Sequence, residues 1–221
     1  MEEQGYAIEE TEFTDLRSLN IAMQEGDIDV NVDQNLAYIA NYNEEVGANL
    51  TLITPVPTVP ASIHSENKTS IDAVAKGDKV GIPNDASNTA RALQLLQKAE
   101  WIKLDDTVET MQVTTSDIVE NPYELEIVEI DSAQLPRSLV DLDYGVIPGS
   151  MLYAAGMSSE DSLLNEDLLP QVVLHAIVNE GNQDTQWAQD IVEAYHSEEF
   201  LTALEEVNTD NYWFIPEELQ Q

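Results

Sequence analysis

The sequence predicts an α/β fold. Short apolar runs with strand character alternate along the chain with amphipathic stretches of helical period. Hydrophobic residues make up 43% of the 221 positions, enough to bury real cores. That length accommodates one large domain or two lobes of about 100 residues each. Strands that alternate with helices point to parallel sheets.

Taken in order, Ile8–Phe13 reads as a strand, Thr14–Gln24 as an amphipathic helix and Ile28–Val32 as a short buried strand after the turn residues Gly26 and Asp27. Asn35–Glu45 is helical, with Leu36, Ile39 and Ala40 on one face. Leu50–Ile63 is extended and broken by three prolines, which remove ladder donors and favour an edge or crossing strand. A short helix begins at Ser70–Val74, and the strand Val80–Pro83 follows. Further on come a short helix near Ser116–Val119, the strand Leu125–Ile130, a helical turn at Ser132–Ser138 and the apolar strand Tyr144–Ile147. Met151–Ala155 starts a helix that Gly156 ends. Val172–Val178 is a strongly apolar strand, and two amphipathic helices, about Thr185–His196 and Glu198–Val207, close the chain.

The stretch from Val80 to Leu104 carries the most chemistry. A buried strand runs into a polar turn and then a helix with Arg91 in its first turn. Backbone N–H groups, the positive end of a helix dipole and a guanidinium would share one small volume, which suits a carboxylate or another small anion. The same residues also fit an ordinary strand–loop–helix with a surface arginine.

Charge narrows the function. Eight Lys and Arg stand against 43 Asp and Glu, a formal net charge of −35. Such a surface repels nucleic-acid phosphates and anionic lipid head groups, so no nucleic-acid partner is expected. The acids are spread along the chain, as in proteins made for high salt or an exposed extracytoplasmic setting. With no cysteine there is no disulfide, thiolate metal site or cysteine nucleophile. The three histidines, His64, His175 and His196, lie far apart in sequence, so no metal centre and no cofactor are expected. No apolar run approaches the ~20 residues that span a bilayer. The opening MEEQGYAIEE is acidic and polar where an export signal is basic and then apolar. Ser150, His175 and Asp143 could be drawn as a triad, but no G-x-S-x-G elbow accompanies them, so no enzyme is expected.

Four blocks of the sequence match the motifs of one known family. PNDASNTARALQLLQKAEWIKL is similar to the family's PNDPTNxGRxLLLLxxxGLIKL, and ENPYELEIVEIDSAQLPRSLVDLDYGVI to its ENPxNLxIVELxAxQLPRSLxDxDxAVI. EFTDLRSLNIAMQEGDIDVNVDQNLAYI resembles EFxDYxxPNxALxxGxIDANxFQHxPYL, and IVEAYHSEEF resembles FVxAYQSDEV. The likeness runs in order over essentially the whole chain, which thus resembles the methionine-binding, NlpA-type lipoproteins, the substrate-binding components of methionine ABC transporters. It implies a two-lobe periplasmic-binding-protein fold of type II-like form, with ligand in the cleft between the lobes. Lobe 1 would hold residues 1–60 and 170–221 and lobe 2 residues 66–146, with crossing segments at Thr54–Ser65 and Tyr144–Gly149. Against the family pattern the first strand and helix are missing, MEEQGY resembling the end of that helix. The resemblance further implies an extracytoplasmic, lipid-anchored monomer that serves an ABC permease and its ATPase.

The resemblance also assigns site residues. Arg91 matches the arginine that clamps the ligand carboxylate, and Asn88 stands in the same block. The family's FQHxPY is Asp33-Gln34-Asn35-Leu36-Ala37-Tyr38, which keeps Gln34 and Tyr38 and puts Asp33 and Asn35 where Phe and His stood. The F-V-Y-P stretch that encloses the methionine thioether is Pro57-Thr58-Val59-Pro60. The asparagine that meets the ligand's amino group is Pro148, followed by Gly149 and Ser150, and a second aligns near Leu174. His64 replaces a tyrosine and either lines the cleft or packs. His175 reads as a core histidine, and Trp187 and Trp213 as packing residues. One carboxylate anchor is kept while most of the thioether cage is lost. Each lost ring removes on the order of 1–3 kcal/mol of burial. The expected ligand is therefore an amino acid, methionine-like or more polar, or a short peptide. Asp33 would then pair with its ammonium. A diverged homologue with a non-transport, surface-binding role is the alternative.

Overall fold

The computed structural model describes residues 1–13, 15–208 and 213–220. In chain order the elements are α1 (Leu16–Glu25), β1 (Asn31–Asn35), α2 (Leu36–Val46), β2 (Leu50–Pro55), β3 (Ser62–His64), β4 (Lys79–Pro83), α3 (Ala86–Lys98), β5 (Lys103–Leu104), β6 (Ile118–Glu120), β7 (Glu126–Ile130), α4 (Leu135–Ser138), β8 (Tyr144–Ile147), α5 (Gly149–Ala154), β9 (Leu164–Asn165), β10 (Leu174–Asn179), α6 (Gln186–Tyr195) and α7 (Glu198–Val207), with short 3-10 turns among them. The chain divides into two compact units, Met1–Thr58 with Leu169–Gln221, and Val59–Leu168.

The first unit is built on a three-stranded sheet of order β1-β10-β2, antiparallel throughout. Parallel pairing was the expectation here. It fails because β10 returns to the sheet from late in the chain, so the direction of its neighbours is not set by local strand–helix alternation. β10 lies centrally and buries Ala176, Ile177 and Val178 completely. Met23 of α1, Ile39 and Tyr42 of α2, and Ala48, Leu50 and Ile177 form the core. Full burial of each large side chain contributes about 1.5–3 kcal/mol. Asp15 caps α1, its Oδ1 accepting from Ser18 N at 2.7 Å, and Gly26 closes it at φ 80°, where glycine carries no Cβ penalty.

Ile8–Phe13 is not a strand. It runs as irregular chain with Ile8 55% exposed, because no described strand pairs with it and an unpaired strand does not hold in water. The segment before it is tied down by Tyr6, whose hydroxyl donates to Asp190 of α6.

The second unit carries a five-stranded sheet of order β7-β4-β8-β3-β9. β7, β4 and β8 run parallel, while β3 pairs antiparallel with both β8 and β9. Its core gathers Ile63, Val80, Ile82, Leu93, Leu96, Trp101 and Tyr144, with the Trp101 and Tyr144 rings tilted at 4.6 Å between centroids. Nine of the 13 residues of α3 are buried, so this helix is packed nearly all round rather than along one stripe. β3 and β8, which lie in the segments 54–65 and 144–149, are both strands of this sheet, and the unit runs from Val59 to Leu168. Among the described residues no helix is long and apolar enough to cross a membrane.

Candidate ligand-binding site

The strand–turn–helix unit forms as its sequence predicts. β4 ends at Pro83 and Asp85 caps α3, its Oδ1 accepting from Asn88 N at 3.0 Å. The cap is reinforced on both sides. Asn88 Nδ2 donates to both Asp85 oxygens at 3.1 Å, Ser132 Oγ donates to Oδ2 at 3.1 Å, and Thr89 Oγ1 donates back to Pro83 O at 2.8 Å. This bonding fixes where the helix starts. Arg91 is accordingly its sixth residue, in the second turn rather than the first, one turn further from the positive end of the dipole than expected.

Arg91 is buried, with 6% of its side chain exposed, and does not stand as a surface residue. Its Nη1 donates to Asn88 Oδ1 at 2.8 Å. Its Nε donates to Glu166 Oε2 at 3.1 Å, and its Nη2 donates to Glu166 Oε1. Glu166, just beyond β9, is itself held by Ala61 through both its side chain and its backbone. Ala61 N donates to its Oε1 at 2.6 Å, its own N–H donates to Ala61 O at 2.9 Å, and its carboxylate is 8% exposed. One helical stretch further along the same face, Lys98 Nζ grips the next residues, Asn165 O at 2.9 Å and Asp167 Oδ1 at 2.7 Å. Two of the eight basic residues of the chain therefore fasten α3 to residues 165–167. Glu166 was missed from sequence. It is one acid among 43 and lies 75 positions from its partner.

Ser150 sits half-buried in the first turn of α5. That helix begins against the chain at Val59, since a Cβ on Gly149 would fall 2.2 Å from Val59 O. His64 is buried on β3 with its Nε2 2.8 Å from Ser62 Oγ, and burial holds its pKa below the ordinary value.

In the first unit, Asn35 is engaged by the backbone: it caps α2, its Oδ1 accepting from Tyr38 N at 2.8 Å. Gln34 is buried, its Nε2 donating to Leu16 O at 3.0 Å, while its Oε1 has no hydrogen-bond partner among the described residues. Asp33 and Tyr38 are half-buried on β1 and in the first turn of α2. Thr58, within the stretch the resemblance assigns to the thioether cage, uses its hydroxyl on the backbone, donating to Val56 O at 3.1 Å and accepting from Leu174 N at 2.8 Å. His175 faces Gln34 and Pro55 across the sheet, with Nδ1 3.0 Å from Val173 O and its pKa lowered by burial. Asp143 accepts from Lys79 N at 2.8 Å, a structural duty. Among the described residues no group of three His, Cys, Asp or Glu side chains is placed to hold a metal ion.

Known proteins share this architecture. The family model for the NlpA lipoprotein matches residues 1–215. The D-methionine-binding lipoprotein MetQ of Salmonella typhi is 34% identical over 209 residues, which cover 93% of this chain and 77% of that protein. The periplasmic substrate-binding protein of an ABC transporter from Coxiella burnetii superposes with a TM-score of 0.86 at 33% identity, covering 94% of this chain and 87% of the other. A nutrient-binding protein from Burkholderia cenocepacia, solved bound to methionine, gives a TM-score of 0.87 at 31% identity over 96% of this chain and 87% of its own. The chain has the two-lobe binding-protein fold of these structures. With a family match that covers nearly its whole length, it belongs to the NlpA lipoprotein family.

Proposed function

We propose that this chain is the extracytoplasmic substrate-binding component of an ABC importer. Its ligand is an amino acid, methionine or a more polar relative, or a short peptide, and Arg91 reads the ligand's carboxylate. The observation that carries this reading is the state of Arg91: a guanidinium 6% exposed, held in one orientation by Asn88 and Glu166, in a chain 34% identical to a relative named for D-methionine binding. Fixed, desolvated guanidinium groups give strong, directional recognition of carboxylates. The family is one of substrate-binding proteins, not enzymes.

The replacement of the family's aromatic block by Asp33 and Asn35, and of F-V-Y-P by Pro57-Thr58-Val59-Pro60, favours a less apolar ligand than methionine. The protein acts as a lipid-anchored monomer that delivers this ligand to a permease–ATPase complex. Calorimetry in high-salt buffer against the amino acids and simple dipeptides tests the reading. Saturable binding is expected, with Arg91→Lys weakening it at least tenfold because a point charge cannot replace the two-pronged fork. Absence of binding by every amino acid and dipeptide would overturn it.

A further inference from the structure

We infer that Glu166 sets the charge class of the ligand, admitting zwitterions and refusing carboxylates that bring no positive charge of their own. The inference rests on Arg91 reading a carboxylate.

Glu166 is a fixed part of the wall and not a plug waiting to be displaced. Its backbone N–H and its carboxylate both engage Ala61, and the same carboxylate takes the Nε–Nη2 edge of Arg91. A guanidinium carries five N–H donors. Three are committed here, two to Glu166 and one to Asn88, which leaves one N–H on each terminal nitrogen. Two such donors suffice for the two oxygens of one ligand carboxylate. Glu166 thus orients the fork and leaves those two N–H groups uncommitted by it.

The same contact cancels the charge of the fork. Arg91 is positive, while Glu166 and Asp85, joined to it directly or through Asn88, are both negative. The nearest other cation on the helix, Lys98, is turned to Asp167. A bare carboxylate entering this wall adds a negative charge to a group that is already net negative, in a place where water screens poorly. An amino acid or peptide adds none, because its ammonium travels with it. The donors recognise the shape of a carboxylate, and Glu166 imposes the requirement for a compensating cation.

The test compares L-methionine with its desamino analogue, (methylthio)butanoate, by calorimetry on the full chain in one high-salt buffer. Should another amino acid bind in place of methionine, that acid and its own desamino counterpart are used. Wild-type protein is expected to prefer the amino acid at least tenfold. Glu166→Gln, which keeps the shape and an acceptor for Arg91 while removing the charge, is expected to reduce that preference at least tenfold, chiefly by strengthening binding of the analogue. Glu166→Asp keeps the charge and is expected to retain the preference even if both affinities fall, and it carries the test if the glutamine variant does not fold. Equal binding of the two probes by wild type, an unchanged ratio in Glu166→Gln, or a collapsed ratio in Glu166→Asp would overturn the inference while leaving amino-acid binding intact. No binding of any amino acid or dipeptide by wild type overturns the parent reading and this one with it.

Discussion

Arg91 and Glu166 satisfy one another inside the second unit. Two nitrogens of the guanidinium donate to the two oxygens of a carboxylate that lies 75 positions away, and neither side chain is more than 8% exposed. A residue expected to await a ligand is therefore already part of a buried ion pair.

Removing one partner of such a pair strands the other charge without water. Arg91→Ala is accordingly expected to lower stability by about 3–5 kcal/mol, and Glu166→Ala by a similar amount. Replacing both by methionine, which fills comparable volume with no charge, is expected to recover most of the loss. Urea unfolding of the four proteins at one salt concentration checks this. A single Arg91→Ala variant as stable as wild type would show the pair to be open to solvent.

The start of α3 depends on Asp85, which accepts from Asn88 N, Asn88 Nδ2 and Ser132 Oγ. Asp85→Ala is expected to cost about 1–2 kcal/mol, while Asp85→Asn, which keeps an acceptor for the backbone N–H, costs less. If the two variants melt at the same temperature, the cap bond is not what holds the helix start.

Much of this was legible in the sequence, for a physical reason. The run from Lys79 to Lys98 carries its own instructions: β-branched and apolar residues, a proline, a capping aspartate and then helical periodicity. Local rules suffice wherever the determining contacts are near in sequence. They failed at Ile8–Phe13, where only the two end residues are apolar and no described strand lies alongside to pair with the segment. They also failed at Glu166, since nothing in Asn165-Glu166-Asp167 distinguishes one acid from the other 42 until the fold brings Ala61 and Arg91 to it. Asn35, which the resemblance places among the ligand residues, also has a local duty: its Oδ1 accepts from Tyr38 N to cap α2.

Gly149 tolerates no side chain. A Cβ there would lie 2.2 Å from Val59 O and 2.5 Å from Val59 C, and backbone atoms cannot swing aside as a side-chain end can. Gly149→Ala is expected to cost about 1–3 kcal/mol and to displace the start of α5, which carries Ser150. Thermal melts measure the loss, and altered protection of the α5 amides in hydrogen exchange reports the displacement. Unchanged melting would mean that the helix start moves freely.

Acidification should destabilise the fold from near neutrality. Burial is the leading cause that holds both His64 and His175 below the ordinary histidine value of 6.5. The unfolded chain then binds protons at a higher pH than the folded one, so stability rises with pH across this window. It is fully present above about 6.5, where both states are neutral, and is lost as the pH falls from there through the folded-state values. His64→Gln, which preserves an acceptor or donor for Ser62 Oγ, should flatten that dependence. A stability–pH slope in the glutamine variant as steep as in wild type would assign the effect elsewhere.

Salt should stabilise the protein strongly. Among the described residues seven of the eight basic side chains already lie within 4.0 Å of a carboxylate, Arg91 and Lys68 in buried or largely buried pairs and the others near the surface. Nearly all the cations are thus engaged while the formal net charge stands at −35, the acids outnumbering them 43 to eight. At ~0.1 M salt that repulsion reaches roughly 10 Å, whereas at ~1 M it reaches about 3 Å. Raising NaCl between these limits should therefore lift the melting temperature by many degrees, since each exposed acid is relieved of its neighbours while the buried Arg91–Glu166 pair is hardly screened. The opposite trend, or a melting temperature independent of salt, would mean that the exposed ion pairs outweigh the self-repulsion, which their weak individual contributions do not allow.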